Sequence, residues 1–370
     1  MSNPVRILQM IGSLNIGGSQ SMIMNLYQAI DKEKVQFDFV IDRPGELFYG
    51  DAVKRMGGRI YTMPTFTGNN ILQIRAAWSK FFANHPEYKV LHSHVRSYAS
   101  VYLPIAHKYG LTTIIHSHST SNGSGLKSYV KSILQFPLRF QADYFFSCSD
   151  KAGKWLFGEN ITAGDHYYML QNAIDLDRYT FDPQIRKTYR DQLQVQDKEV
   201  FIHIGRFNLA KNHDFLLKLF SGVVQERSNA VLLLVGDGEL RPVIEEQINN
   251  YGIQDCVYVL GNRDDVPNLL MAADCFLFPS RWEGLPVTVV EAQASGLPCL
   301  ISDTITKQVV LSDLVTMLPI DCGTEVWREH LKQIEFIRKD VSPEIIQAGF
   351  DIKSTAEWLT SFYIGLVREH

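Results

Sequence analysis

Apolar runs of strand length alternate with helical-period segments along most of this chain, and no other feature constrains its fold as strongly. After an opening run at Val5–Ile11 come Phe37–Ile41, Lys89–His94, Thr112–His118, Asp143–Cys148, Val200–Gly205, Ala230–Val235, Cys275–Pro279 and Pro298–Ser302. This is the β-α-β rhythm of parallel sheets covered on both faces. The rhythm breaks once, where Asp175-Leu176-Asp177-Arg178-Tyr179 leads into the polar stretch 182–198. At 370 residues the chain is long enough for two domains. The break predicts an α/β protein of two Rossmann-like domains, residues 1–175 and 176–351, with ligand in the cleft between them at the strand carboxyl ends.

Composition narrows the classes. Apolar content of 45% and charged content of 21% are those of an ordinary globular protein. A formal charge of −4 gives no whole-molecule attraction to nucleic acid or to an anionic membrane. Five cysteines without a CxxC pair read as reduced, buried thiols. The opening Val5–Ile11 run is too short and strand-like for a signal peptide, and no apolar stretch reaches spanning length. The expected setting is the cytoplasm, or the inner face of its membrane.

The richest motif runs from Pro279 to Ala292. A strand turns through Gly284 into a helix with Pro286 in its first turn, where a missing N–H costs nothing. Free N–H groups at such a start favour an anion. Glu283 precedes the helix, and Glu291 lies about 9 Å along the axis from Leu285. A phosphate between two carboxylates that each grip hydroxyls suits a nucleotide sugar. In the same half, Gly205-Arg206 ends a strand and Lys211 follows, so two cations can aim at one diphosphate.

In the first half, Gly17-Gly18 separates the first strand from a helix starting near Gln20, and admits a ligand close to the backbone. It is not GxGxxG, and Asp42 followed by Arg43-Pro44 is a poor dinucleotide acid, which disfavours a nicotinamide enzyme. His92-Ser93-His94 and His116-Ser117-His118 end two strands. No carboxylate or cysteine cluster supports a metal there, so they read as hydrogen-bonding imidazoles, with His118 and then His94 facing ligand and His92 and His116 structural. Asp175-Leu176-Asp177 reads as turn and capping chemistry rather than a metal site. Lys127, Lys131 and Arg139 form one stripe of a basic amphipathic helix ending near Pro137, either a solvated face over a packed core or a lipid-facing surface.

With these residues in view, the chain resembles the retaining glycosyltransferases of family 4, which have the two-domain GT-B fold. The matching features are Gly17-Gly18, His118, Gln171-Asn172-Ala173-Ile174-Asp175, Gly205-Arg206 with Lys211, and the glutamate pair Glu283 and Glu291. Phe350-Asp351-Ile352 and the following segment are similar to the family's C-terminal helix, about 352–370, that returns to the first domain. Lys211-Asn212-His213 and Glu291–Pro298 look like the branch that builds capsular and exopolysaccharides. The resemblance implies that Arg206 and Lys211 hold the diphosphate, helped by the backbone of Gly284, Leu285, Pro286, Val287 and Thr288. Glu291 would bind ribose, Glu283 the transferred sugar, Asn262 and Arg263 the base, and His118 the sugar from the opposite domain, while Gly17 and Gly18 would close over the diphosphate and the acceptor's entry. It implies transfer of a hexose or N-acetylaminohexose from a nucleoside diphosphate, UDP above all, to a lipid-linked saccharide, without metal or other cofactor. The rivals are a nucleotide-sugar epimerase on the same architecture and a binding subunit without turnover.

Overall fold

A computed structural model of the protein describes residues 3–15, 17–43, 45, 47–119 and 126–368. The chain divides into two compact units, Met1–Ala173 with Ile352–His370, and Ile174–Asp351. The first sheet contains β1 (Val5–Met10), β2 (Val35–Ile41), β3 (Ile60–Thr62), β4 (Val90–Ser93), β5 (Thr112–Ser117), β6 (Tyr144–Ser147) and β7 (Tyr167–Met169). Their spatial order is β3-β2-β1-β4-β5-β6-β7, all parallel. The second sheet contains β8 (Glu199–Ile204), β9 (Ala230–Val235), β10 (Val257–Gly261), β11 (Cys275–Phe278), β12 (Cys299–Ser302) and β13 (Val315–Leu318). It runs β10-β9-β8-β11-β12-β13, again all parallel.

Continuous apolar runs form these strands because alternate residues enter two different cores. In β8 and β9, Val200, Ile202, Ile204, Val231, Leu233 and Val235 pack on one face, while Phe201, Leu232 and Leu234 pack on the other. Each sheet reverses its strand order once, between β1 and β4 and between β8 and β11. Successive connections there leave for opposite faces, which opens a crevice at the carboxyl ends.

The helix Ile352–Arg368 belongs to the first unit. Ile352, Ala356, Leu359, Tyr363 and Leu366, spaced four and three apart, form one apolar stripe that packs with Ile7, Phe37 and Leu170.

Candidate active site

In the second unit the crevice lies between the loops that follow β8 and β11. A Cβ on Gly205 would stand 2.5 Å from Cε of Lys211, so the bare glycine lets the lysine stem lie back across the strand end. Leu209–Lys211 forms one 3-10 turn, with the Asn208 side chain accepting the Lys211 N–H at 3.2 Å. Asn212 then takes the left-handed conformation (φ 57°), which asparagine tolerates, and starts the helix His213–Glu226. Lys211 Nζ is thereby held 2.8 Å from Glu283 Oε1 and 4.4 Å from the centre of the Phe278 ring. Asn212 Nδ2 donates to the Pro279 carbonyl (3.1 Å), Arg281 Nε donates to Asn212 Oδ1 (3.0 Å), and the Arg281 N–H donates to Ala210 O (2.7 Å). The two loops are thus stitched into one body.

The helix after β11 is Val287–Ala294, with Pro286 just before its first turn rather than inside it. Its leading N–H groups have no carbonyl behind them in the helix and carry partial positive charge. Gly284 is exposed, and Leu285 and Val287 pack partly on the core. On the same strand-turn-helix, the hydroxyls of Ser280 and Thr288 are buried without a hydrogen-bond partner. Glu291 Oε1 accepts a 2.8 Å hydrogen bond from the hydroxyl of Tyr179, on the short helix Leu176–Tyr179. Burial pushes the Glu291 carboxyl above its ordinary range, with the Tyr179 bond and the Arg178 charge pulling the other way.

Next to β8 on its other side, a cavity of about 640 Å³ is lined by Gly205, Arg206, Gly236, Asp237, Asn262 and Arg263, among others. The Arg206 guanidinium is 71% exposed and pairs with Glu239 at 3.2 Å. The sequence predicts that Arg206 and Lys211 converge on one diphosphate; in the structure each is paired with its own glutamate. Glu239 follows β9 and Glu283 follows β11, so the two cations lean to opposite sides of β8. Arg263 is held in a fork by Asp265, at 2.7 and 2.5 Å. Gly236 was missed in the sequence: at φ +134° its missing Cβ would fall 2.1 Å from the Gly205 carbonyl oxygen. Two glycines on neighbouring strand ends were the available signal. Tyr179 was missed as well, since nothing in its local sequence announces a partner 112 residues away.

In the first unit, Gly17 and Gly18 open the helix Gly18–Ala29. A Cβ on Gly17 would meet the Gln20 side chain at 2.6 Å, whereas Gly18 faces open space. His118 stands just past β5 and joins a chain of hydrogen bonds. His118 Nε2 lies 2.8 Å from His94 Nδ1, and His94 Nε2 lies 3.0 Å from Gln9 Oε1. The Gln9 amide reaches the Tyr363 hydroxyl (3.3 Å), which lies 2.6 Å from His92 Nδ1; His92 Nε2 is 3.2 Å from His116 Nδ1. Burial holds all four imidazoles below their ordinary pKa, His94 at about 3. Among the described residues, His92, His94 and His116 offer ring nitrogens within 4.8 Å of one another. That spacing alone would admit a metal ion, but His92 and His94 each already spend both ring nitrogens on hydrogen bonds.

Other sequence expectations are corrected. Asp175 stands at the start of its short helix, but its side chain makes no cap bond; Asp182 caps the next helix, accepting from Gln184 N at 2.7 Å. The helix Leu126–Gln135 does end before Pro137, and Lys131 on it is exposed. Arg139 turns in to donate to the Leu156 carbonyl at 3.0 Å, and the side chain of Lys127 lies outside the described residues. Tyr129, Ile133, Phe136 and Phe140 are exposed as well. Of the loop 119–125, residues 120–125 also lie outside the described residues.

Two doubly wound parallel sheets, one in each unit, are the building blocks of the GT-B fold. The model of glycosyltransferase family 4 matches residues 16–178, and that of glycosyl transferases group 1 matches residues 185–339. A putative glycosyltransferase of Bacillus subtilis, EpsF, is 32% identical over 100% of this chain and 99% of its own. The chain belongs to glycosyltransferase family 4, and it is an enzyme of that family. It is also 27% identical, over 54% of either chain, to an Escherichia coli UDP-Gal:alpha-D-GlcNAc-diphosphoundecaprenol alpha-1,3-galactosyltransferase. The fold is shared with Anabaena HepE, solved in complex with UDP (TM-score 0.72, 17% identity, 98% of both chains). Among the described residues no helix is long and apolar enough to cross a membrane.

Proposed function

We propose that this enzyme transfers a hexose or N-acetylaminohexose, with retention, from a UDP-sugar to a lipid-linked saccharide in capsule or exopolysaccharide synthesis. The observation that carries the reading is the Lys211–Glu283 pair, held at the switch point with Glu291 on the helix that follows. In this reading Lys211 and the helix start neutralise the diphosphate as it leaves, and Arg206 swings from Glu239 to join them. Glu291 accepts from the ribose, Glu283 from the transferred sugar, and the cavity by Asn262 and Arg263 takes the base. The acceptor hydroxyl enters on the face the diphosphate leaves, and the departing phosphate takes its proton. The cations and helix start supply the positive potential, so the reaction runs without metal. The unit Ile174–Asp351 is the donor side, and the unit carrying Gly17, Gly18 and His118 is the acceptor side. The names of the Escherichia coli and Anabaena proteins support the choice of UDP and of a lipid diphosphate acceptor.

We further infer that the enzyme works in the cytoplasm against the inner membrane face. The exposed Tyr129, Ile133, Phe136 and Phe140 would supply the apolar contact. Calorimetry with UDP tests the donor site: Lys211→Ala and Glu291→Ala should each weaken binding sharply, and unchanged affinity in both would sink the assignment. NMR of UDP-sugar with the enzyme alone separates transfer from epimerisation, which needs no acceptor. Full activity in excess EDTA is expected.

A further inference from the structure

Six polar side chains, from His118 to His116 with both ends counted, form one unbranched path through the first unit. Gln9 lies on β1, His92 on β4 with His94 just past it, His116 on β5, and Tyr363 on the helix Ile352–Arg368. His92, His116, Gln9 and Tyr363 are wholly buried, and His94 is 9% exposed. A neutral imidazole has one N–H and one lone pair, so fixing either bond of a ring fixes the other.

The direction of the path follows from the Gln9 amide, whose Oε1 faces His94 and whose Nε2 faces Tyr363. His94 must then donate through Nε2, which leaves its Nδ1 as an acceptor, so His118 donates through Nε2. Beyond Gln9 the Tyr363 oxygen accepts from the Gln9 amide, its hydroxyl proton goes to His92 Nδ1, and His92 Nε2–H goes to His116 Nδ1. The path ends at His116 Nε2, buried with no partner. Turning over the Gln9 amide would reverse every bond at once, so the path has two proton arrangements and no mixed one.

We propose that Gln9, His94 and Tyr363 are positioning residues that lock His118 in the Nε2–H tautomer, so that its Nδ1 lone pair is presented to accept a hydrogen bond from a sugar hydroxyl. The functional half of this inference rests on the reading of His118 as a site residue. Burial, with His94 and the Arg96 charge adding to it, keeps His118 neutral, and this favours an outward lone pair over a second N–H. The helix Ile352–Arg368 thus reaches the site through the Tyr363 hydroxyl, without touching substrate.

The test is NMR of the ring nitrogens in enzyme labelled with 15N-histidine, read without substrate, so that it stands apart from the transfer assignment. Wild-type His118 should show a protonated Nε2 and an unprotonated Nδ1. Tyr363→Phe keeps the packing but frees the Gln9 amide, and should give His118 a mixture of tautomers. Its kcat should fall on the order of tenfold while the donor KM stays within about twofold. Gln9→Glu keeps an acceptor facing His94 and should preserve the wild-type pattern. A wild-type His118 with Nδ1–H, or a Tyr363→Phe spectrum identical to wild type, overturns the lock. A His118→Ala enzyme with full transfer rate overturns the functional half while leaving the tautomer assignment to the spectrum.

Discussion

Lys211 Nζ and Glu283 Oε1 sit 2.8 Å apart although their loops follow strands separated in sequence by β9 and β10. At 13% and 16% exposure the pair is shielded, and each charge depends on the other. Lys211→Ala should cost roughly 2 kcal/mol of stability, less than a fully buried pair, because some water still reaches the carboxylate. It should also weaken UDP binding about tenfold to hundredfold, as expected for one lost charge-assisted contact. Glu283→Gln keeps the hydrogen bond and should retain UDP affinity while slowing transfer. Urea melts and calorimetry read the two effects separately.

Gly236→Ala should destabilise the second unit by about 2 kcal/mol or more. The new methyl would meet the Gly205 carbonyl and would also need a left-handed backbone that alanine resists. Gly284→Ala, where a Cβ meets nothing within 4 Å, should move the urea midpoint by about 0.5 kcal/mol or less. Equal effects at the two sites would contradict the backbone contact between the ends of β8 and β9.

Five buried imidazoles, His92, His94, His116, His203 and His213, and the half-buried His118 are held below their ordinary pKa, His213 at about 4. Above about pH 6.5 they are neutral in both folded and unfolded chain and do not affect stability. Below it the unfolded chain takes up protons that the fold refuses, so each site removes up to ~1.4 kcal/mol per pH unit until its folded pKa is reached. Glu291 acts in the opposite sense: with its folded pKa raised, its contribution is present at low pH and is lost as pH rises through that value. The imidazoles outnumber it. The Tm should fall steeply between pH 6.5 and 4.5, and a flat profile in scanning calorimetry would show that these rings charge freely inside the fold.

Phe136 and Phe140 are 57% and 78% exposed, and their rings touch at 5.8 Å between centroids. Replacing both by Ser should leave the melting temperature almost unchanged, because neither belongs to a core. Cosedimentation with vesicles containing anionic lipid should drop by about tenfold or more, since each ring loses ~1.5 kcal/mol or more of apolar transfer. Retained cosedimentation would remove this face as the membrane contact.

The inner strands were legible in the sequence and the edges were not. The nine apolar runs correspond to β1, β2, β4, β5, β6, β8, β9, β11 and β12, all flanked on both sides in their sheets. The strands without a clear signal, β3, β7, β10 and β13, are the four sheet edges. Their residues are mostly half-buried, as in Ile60–Thr62 and Val315–Leu318, so they need no continuous apolar run. The sequence break suggested a boundary after Asp175, whereas the compact units part after Ala173. Lys211, Glu283 and Glu291 carried a local signature of strand, turn and helix start. Tyr179 and Tyr363 did not, because their partners are distant in the chain and a tyrosine in an apolar stripe looks like core. Arg139 was expected on the basic face of the Leu126 helix, but it lies on the next short helix and bends in to a carbonyl, which a count of lysines and arginines cannot reveal.

The first core takes five side chains from residues 352–368, and this sets a timetable for synthesis. The second unit is one unbroken stretch and is complete once the ribosome has passed Asp351. The first unit, although translated earlier, must wait for some 180 further residues, roughly 10–40 seconds at ordinary elongation rates. During that interval the surface that will receive Leu359 and Tyr363 is bare, and a nascent chain of this design presents it to chaperones. The half that is made first is finished last.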